Sequence, residues 1–186
     1  MSLDVEAKLT GNGVAALDIE DIKKLLKTSS VCYHRSGSVL IGARRATEED
    51  MKSPLITYVT NLYGKLFIET IKEFSEAEIE SGIIILRYPG PIYENRYNEW
   101  YITEKEWKEK YDENPKKKWN NYKAKKAVQK KGLEITPEVI NLLKGKDGRA
   151  EIKAFGGTMW AFEDGLLTED GTAIAPQILT RYFFKI

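Results

Sequence analysis

The chain has 186 residues, of which 42% are hydrophobic and 31% are charged, and its formal net charge is +1. This length and composition are those of a folded domain with its own core, and they exclude a disordered chain. The single cysteine, Cys32, excludes an intramolecular disulfide, and with His34 as the only histidine one chain cannot assemble a Cys/His zinc site. No apolar run approaches the ~20 residues of a membrane helix. We therefore expect a single domain over residues 1–186, located in the cytoplasm, with no membrane contact, metal or cofactor.

Residues 1–17 form a polar N-terminal segment. We expect it to be a loop, because its Gly-Asn-Gly sequence is a turn signal without the preceding strand that a phosphate loop requires. Asp18 is placed to cap a short helix in which Ile22 and Leu25 fall on one face. That helix is expected to end near Thr28.

Residues 31–43 carry β-branched and aromatic residues on both sides of a turn at 35–38, which predicts a hairpin. Cys32 and His34 are two residues apart, so on a strand they point to the same face. A thiol beside an imidazole is the minimum for a cysteine nucleophile. We favour a small buried thiol and an edge histidine instead, because residues of one strand rarely present a nucleophile and a base to each other together with a third, orienting group.

Residues 54–80 predict the longest helix of the chain. Ser53 would cap it, Pro54 would occupy its first position, and apolar residues recur at spacings of three and four. Gly64 and the β-branched residues of 56–60 have low helix propensity, so two elements that divide near Gly64 are an alternative.

The unbroken apolar run at 83–86 predicts a central strand covered on both faces, and a short strand follows at 100–102. Thr103 with Glu106 three residues later has the arrangement of a capping box. It predicts a helix over residues 104–113.

The last third of the chain predicts a short helix and several short strands. The helix opens at Thr136-Pro137 and the strands lie at 150–155, 158–162, 166–167 and 172–175, separated by Gly-containing turns. The apolar end, 178–186, is expected to enter the core or complete the sheet. The fold class we predict is α+β, a mixed or antiparallel sheet with the long 54–80 helix packed on one face and the lysine-rich segment at an edge.

Residues 116–131 are the most biased part of the chain, with eight lysines, two aromatic residues and no acid. Without these lysines the chain carries 21 basic and 28 acidic residues, a balance of −7. Lysines interleaved with aromatic side chains can bind phosphates and stack on unpaired bases. The alternative is a solvated helix with a narrow apolar seam at Ala124, Ala127 and Val128. The candidate partner-binding residues are Lys116, Lys117, Lys118, Trp119, Tyr122, Lys123, Lys125, Lys126, Lys130 and Lys131.

A second, weaker pattern is typical of a metal-dependent nuclease of the PD-(D/E)xK type. Glu138 follows Pro137, and Glu151 and Lys153 share one face of the next predicted strand. Such a site needs two acids that converge on a divalent cation and a lysine near the attacked phosphate. Glu138 is equally explained by its place in the first turn of a helix.

Two segments share the same predicted order of glycine, strand and helix. Pro89-Gly90 precedes the strand at 99–102 and then Trp107 and Tyr111, four apart; Gly156-Gly157 precedes a hairpin and then Pro176, Ile178 and Tyr182. This arrangement resembles the small PGDYG-type modules found in phage and prophage accessory proteins. The acid usual after the first glycine of that motif is replaced here by Pro91 and Gly157. The resemblance implies a phage-like accessory protein and carries over no functional residues.

The function we predict is that of a non-enzymatic accessory protein whose lysine-rich segment binds nucleic acid or an acidic protein surface, including a second copy of the chain. The alternatives are an enzyme, using either the nuclease pattern or Cys32 and His34, and a structural protein that associates through the aromatic residues 182–184.

Overall fold

A computed structural model describes residues 20–154 and 157–186. In chain order the elements are α1 (Glu20–Ser29), β1 (Val31–Arg35), β2 (Ile41–Arg45), β3 (Leu55–Thr60), β4 (Leu66–Lys72), α2 (Glu76–Ser81), β5 (Ile83–Arg87), β6 (Glu99–Thr103), α3 (Glu104–Lys110), β7 (Asn120–Tyr122), β8 (Val128–Glu134), α4 (Pro137–Leu142), β9 (Arg149–Ala154), β10 (Gly157–Phe162), β11 (Leu166–Thr168), β12 (Ala173–Ile174), α5 (Pro176–Tyr182) and β13 (Phe184–Lys185). A 3₁₀ turn covers Glu48–Met51. The predictions for residues 1–17 and for Asp18 lie outside the described residues.

The α+β prediction with a long helix on a sheet is wrong, because the protein is mostly β-strand in antiparallel sheets. Residues 54–80 form β3, β4 and α2 instead of one helix. In β3 the side chains of Leu55, Thr57 and Val59 are buried, and Ile56 between them is exposed. β-Branched residues favour strands, and this alternation has the period of two that a strand imposes. Gly64, at φ 76°, lies in the turn between β3 and β4.

The described residues fall into two compact units, and the single domain that we expected stays a prediction. The first unit contains residues 20–35, 59–70, 129–154 and 157–186. The second contains residues 36–58 and 71–128. Each unit is therefore assembled from segments that are distant in the sequence.

The first unit contains a five-stranded sheet of order β12-β11-β8-β1-β13 and the hairpin β9–β10. Helices α1 and α4 supply Ile22, Val139 and Ile140 to a core that also holds Ala150 and Ile152 of β9. The opposite face of the hairpin carries aromatic residues: Phe67 of β4 contacts both Trp160 and Phe162 of β10, at centroid distances of 5.6 and 4.9 Å. The hairpin is thus covered by side chains on both faces.

The second unit contains a four-stranded antiparallel sheet of order β6-β5-β2-β7. Residues 83–86 lie in the interior strand β5 and are all buried, which confirms the predicted central strand. One sheet face packs on α3, where the ring of Trp107 stacks at 4.0 Å on that of Tyr111, the residue that follows the helix. The capping box that opens α3 is also confirmed: Thr103 Oγ1 accepts from the Glu106 amide, and the Glu106 carboxylate accepts from the Thr103 amide.

The predicted hairpin at 31–43 is wrong, although both of its strands exist. β1 belongs to the five-stranded sheet, where His34 pairs with Phe184 of β13. β2 has β5 on one side and β7 on the other. Ile41, Gly42 and Ala43 are all buried, so β2 is an interior strand that needs a partner on each side, and a single hairpin cannot provide both.

The predictions for the last third of the chain are largely confirmed. Helix α4 begins after the cap Thr136, whose side chain accepts from the Val139 amide. Strands β9 to β12 lie where short strands were expected, and residues 155 and 156 are outside the described part. The apolar end enters the core through α5 and completes the five-stranded sheet with β13. Among the described residues, no helix has both the length and the apolar character needed to cross a membrane.

Candidate anion-binding surface

The lysine segment, residues 116–126 of the second unit, has a fixed backbone. The Arg45 amide donates to the Lys116 carbonyl at 2.7 Å, and the Lys116 amide donates to Tyr122 Oη at 3.0 Å. Near the other end, the Lys125 amide donates to the Lys110 carbonyl at 2.9 Å. The segment is therefore anchored along its length to the sheet and to the end of α3.

The alternative of a solvated helix over 116–131 is wrong. The segment contains β7, an edge strand of the four-stranded sheet, and β8 begins at Val128. The expected apolar seam does not form either, because Ala124 is buried and Ala127 is exposed. Burial of Tyr122 explains the difference: its ring packs perpendicular to that of Trp107 at 5.0 Å, and this long-range contact holds the segment extended.

Most lysines of the segment have no acidic partner in the part of the chain that the structure describes. Five exposed lysines form no ion pair with any residue of the described chain: Lys116, Lys117, Lys118, Lys123 and Lys126. Lys125 differs, because its ammonium group donates to the Lys108 carbonyl at 2.6 Å and lies 3.5 Å from Asp112. The five remaining cations are available to an external anion.

Lys130 and Lys131 belong to the first unit. Lys130 lies 3.3 Å from Asp170, and Lys131 lies 3.2 Å from Glu169. Because both charges have acidic partners within that unit, we leave these two lysines out of the candidate surface.

The two aromatic residues of the segment have different environments. Tyr122 is 2% exposed, so in this structure its ring is not available to stack on a base, contrary to our expectation. Trp119 is partly exposed, and the guanidinium groups of Arg87 and Arg44 lie over its ring at 4.0 and 5.2 Å. Arg87 also lies over the ring of Tyr97, at 4.0 Å. Trp119 is therefore part of an arginine–aromatic cluster next to the lysines.

Strand pairing places this cluster on one face of the sheet. Arg87 of β5 is paired with Gly42 of β2 on one side and with Glu99 of β6 on the other. Paired residues of neighbouring strands share a face. Because Arg44 is two residues from Gly42 along β2, its side chain points to the same face.

The charges of the cluster are unequally compensated. Arg44 makes a bidentate pair with Asp50, with N–O distances of 2.7 and 2.8 Å. Burial acts to raise the pKa of Asp50, but hydrogen bonds from Arg44 and from the Thr47 amide hold that pKa below its ordinary value. Burial raises the pKa of Glu99, and the charges of Arg87 and Arg44 oppose this shift. Arg44 is neutralised by Asp50, whereas Arg87 has no ion pair within the described chain.

The predicted site residues did not include Gly42, Arg44, Arg87 and Tyr97. Two signals were present in the sequence. Gly42 lies inside a strand, and a glycine there indicates the close approach of another group. Arg87 directly follows the apolar run at 83–86, and an arginine there indicates the point where the strand leaves the core. Neither signal identifies the partner. That information lies in the pairing of β2, β5 and β7.

The structure does not bring the nuclease candidates together. Glu138 is exposed in the first turn of α4, a helix that packs on the face of β9 formed by Ala150 and Ile152. Glu151 and Lys153 alternate with these two residues and therefore lie on the opposite face of β9. The described residues also contain no group of three or more acidic, histidine or cysteine side chains that could hold a metal ion.

Cys32 and His34 lie on β1 as expected, but no hydrogen bond joins them in the described part of the chain. The His34 ring packs against Phe184 with a centroid distance of 4.8 Å. Phe183 is buried, and Phe184 is 56% exposed on the edge strand β13. Association of two chains through this end remains a prediction.

No protein-family model, curated protein or solved structure matches the chain. The PGDYG-type resemblance remains a prediction as well.

Proposed function

We propose that this is a non-enzymatic accessory protein that binds single-stranded nucleic acid through the lysine segment of its second unit. The observation that carries the proposal is the set of five exposed lysines that have no ion pair within the described chain. Clustered cations without internal partners attract a polyanion, and each phosphate that they neutralise releases counterions. The resemblance to PGDYG-type modules adds the proposal of a phage-like origin.

The fixed backbone of the segment supports binding. Hydrogen bonds from Arg45 to Lys116 and from Lys116 to Tyr122 order the chain before any partner arrives. A preordered segment loses less conformational entropy on association than a flexible tail would. The lysine backbone is therefore in place before a strand binds.

Single-stranded nucleic acid is favoured over an acidic protein because of Trp119. Trp119 directly follows Lys118 in the chain and is partly exposed, although Arg87 and Arg44 cover part of its ring. The exposed part of an aromatic ring can contact an unpaired base, whereas carboxylates on an acidic protein need only the charges. An acidic protein is therefore the competing outcome of the test.

The test measures binding of a fluorescent thymidine oligonucleotide by anisotropy over a range of salt concentrations. Lys117→Glu/Lys118→Glu is compared with the matched double variant Lys23→Glu/Lys27→Glu, which reverses two exposed charges on α1. We expect the first variant to bind more weakly and its slope of log affinity against log salt to fall by about 0.7 per lost phosphate contact. The α1 variant should bind like the wild type.

Equal affinity and equal salt slope for the wild type and Lys117→Glu/Lys118→Glu would contradict the proposal. Polyglutamate serves as a second ligand in the same assay. If the wild type binds polyglutamate and not the oligonucleotide, the partner is an acidic protein surface and the nucleic-acid assignment is wrong.

A further inference from the structure

The Arg87 guanidinium group is held in place by aromatic rings and has no hydrogen-bond acceptor among the described residues. Its central carbon lies 4.0 Å from the ring centroid of Tyr97 and 4.0 Å from that of Trp119. Within the described residues the side chain makes no hydrogen bond or ion pair, and it is only partly exposed. Within residues 20–154 and 157–186, its five N–H donors are therefore left to solvent or a ligand.

Gly42 makes this position possible. A Cβ atom at residue 42 would lie 3.0 Å from Arg87 Cγ and 3.3 Å from Arg87 Nε. The arginine side chain thus lies directly against the backbone of β2 on its way to Trp119. The aliphatic part of the side chain lies against a strand and its guanidinium group lies over two rings. The side chain is therefore largely ordered before a ligand binds, which lowers the entropic cost of binding.

Other arginines of the second unit lack this combination. Arg44 is bound by Asp50 through two hydrogen bonds. Arg96 also lies over two aromatic rings, but at 5.6 and 5.7 Å, and it pairs with Glu94 at 3.2 Å. Glu99, the residue of β6 that is paired with Arg87, makes no ion pair with it, although the charge of Arg87 acts to lower the pKa of Glu99. The charge of Arg87 is therefore less compensated than those of Arg44 and Arg96.

We infer that Arg87 is a binding site for one phosphate group. Two N–H groups of a planar guanidinium fork match two oxygens of a phosphate, and aromatic rings over the guanidinium plane leave the donor edges to the ligand. Phosphate is favoured over carboxylate because a dianion gains more from the guanidinium charge than a monoanion does. The inference deepens the proposed function and rests on it for the source of the phosphate, which is the bound strand.

The test follows the Nε–Hε resonances of the arginine side chains by NMR during titration with inorganic phosphate at constant ionic strength. Arg87→Gln identifies the Arg87 resonance, and Arg96 is the internal control. We expect a saturable shift at Arg87 and none at Arg96. No saturable shift at Arg87, or the same shift at both arginines, would overturn the inference, as would an equal response to acetate.

Two variants test the role of the side chain. Arg87→Gln should weaken phosphate binding by at least about tenfold, because a charged hydrogen-bonding group is lost. Arg87→Lys keeps the charge and the aliphatic part of the side chain but not the planar guanidinium group. If Arg87→Gln fails to fold, Arg87→Lys tests whether the guanidinium group is needed for phosphate binding. Unchanged phosphate affinity of Arg87→Lys would overturn the fork geometry, and Arg96→Gln should bind as the wild type does.

Oligonucleotides with and without a 5′-phosphate separate this inference from the proposed function. Either oligonucleotide should shift the Arg87 resonance if the site takes a phosphate of the strand, and a response limited to the 5′-phosphorylated one would assign it to the terminal phosphate. If inorganic phosphate binds at Arg87 and no oligonucleotide binds, the proposed function fails and the phosphate site stands. If the oligonucleotide binds without any change at Arg87, the inference fails and the lysine surface stands.

Discussion

The backbone amide of Trp160 donates a hydrogen bond of 2.7 Å to the carboxyl group of Glu69, which is only 3% exposed. Burial raises the pKa of Glu69 to about 7, although the hydrogen bond from Trp160 acts in the opposite direction. The first unit therefore contains a carboxyl group that holds its proton more tightly when folded than when unfolded. An acid of this kind makes stability depend on pH.

We predict that the contribution of Glu69 to stability is complete below pH 4.5, the ordinary pKa of its carboxyl group, and is lost as the pH rises through about 7. Between these values the folded state binds more protons than the unfolded state, so the free energy of unfolding falls with rising pH. The loss corresponds to on the order of 3 kcal/mol. Urea unfolding of the wild type and Glu69→Gln at pH 5 and pH 8 measures it.

Glu69→Gln should remove this part of the pH dependence, since glutamine keeps an acceptor for the Trp160 amide and has no proton to lose. The control is Glu138→Gln, an exposed acid of the same unit. A pH dependence of Glu69→Gln identical to that of the wild type would contradict the prediction.

A second prediction compares two buried tryptophans. Trp107 Nε1 donates to the Glu113 carbonyl at 2.8 Å, whereas Trp160 Nε1 has no hydrogen-bond partner among the described residues. Trp107→Phe loses a hydrogen bond and Trp160→Phe loses only an unsatisfied donor, so Trp107→Phe should cost about 1–2 kcal/mol more. Equilibrium unfolding in urea provides the comparison, and a larger cost for Trp160→Phe would refute it.

A third prediction concerns two strand glycines. A Cβ atom at Gly132 would lie 2.1 Å from the Leu167 carbonyl oxygen, which is backbone of the paired strand β11. At Gly42 the nearest atom would be Cγ of the Arg87 side chain, 3.0 Å away. A side chain can move aside and a paired strand cannot, so Gly132→Ala should cost about 3 kcal/mol or more and Gly42→Ala clearly less.

The two glycine variants separate stability from binding. Gly42→Ala should remain folded and lose phosphate binding, because the added methyl group displaces Arg87 from its place over Trp119. Thermal unfolding and the phosphate titration are measured on the same samples. Equal melting temperatures for the two variants would contradict the stability prediction.

A fourth prediction concerns the cap of α3. Thr103 Oγ1 accepts from the Glu106 amide, and Thr103→Ala removes this acceptor at a cost of about 1 kcal/mol. Thr180→Ala in α5 is the matched control, because Thr180 is an exposed helical residue and alanine has the higher helix propensity. Urea unfolding of the two variants tests this, and a loss at Thr180 as large as that at Thr103 would argue against the cap.

Local chemistry explains which parts of the fold were predictable. Thr103 with Glu106 and the run at 83–86 predicted a helix start and an interior strand correctly, because a capping box and a doubly covered strand depend on residues close in sequence. The helix prediction for residues 54–80 was wrong because their apolar residues fit both the period of a helix and the alternation of a strand. The β-branched residues of 56–60 were the better guide.

Only part of the candidate site could be predicted from the sequence, for a related reason. Composition alone identified the lysines of 116–126. The relation of Arg87 to Gly42 and Trp119 joins strands β5 and β2 to the residue that precedes β7, and Trp119 is 32 positions from Arg87 in the sequence. Pairings over such distances follow from the whole sheet, and no short pattern encodes them.

The chain passes between its two units at residues 35/36, 58/59, 70/71 and 128/129. Neither unit is therefore a fragment that a single proteolytic cut could release. If only the second unit unfolded, its segments 36–58 and 71–128 would become loops of 23 and 58 residues closed by the folded first unit. If only the first unit unfolded, its segment 59–70 would become a loop of 12 residues closed by the folded second unit. The entropic cost of closing a loop grows only slowly with its length. The chain connections between the units therefore add a cost to the folding of each unit but do not make that folding depend strictly on the other unit.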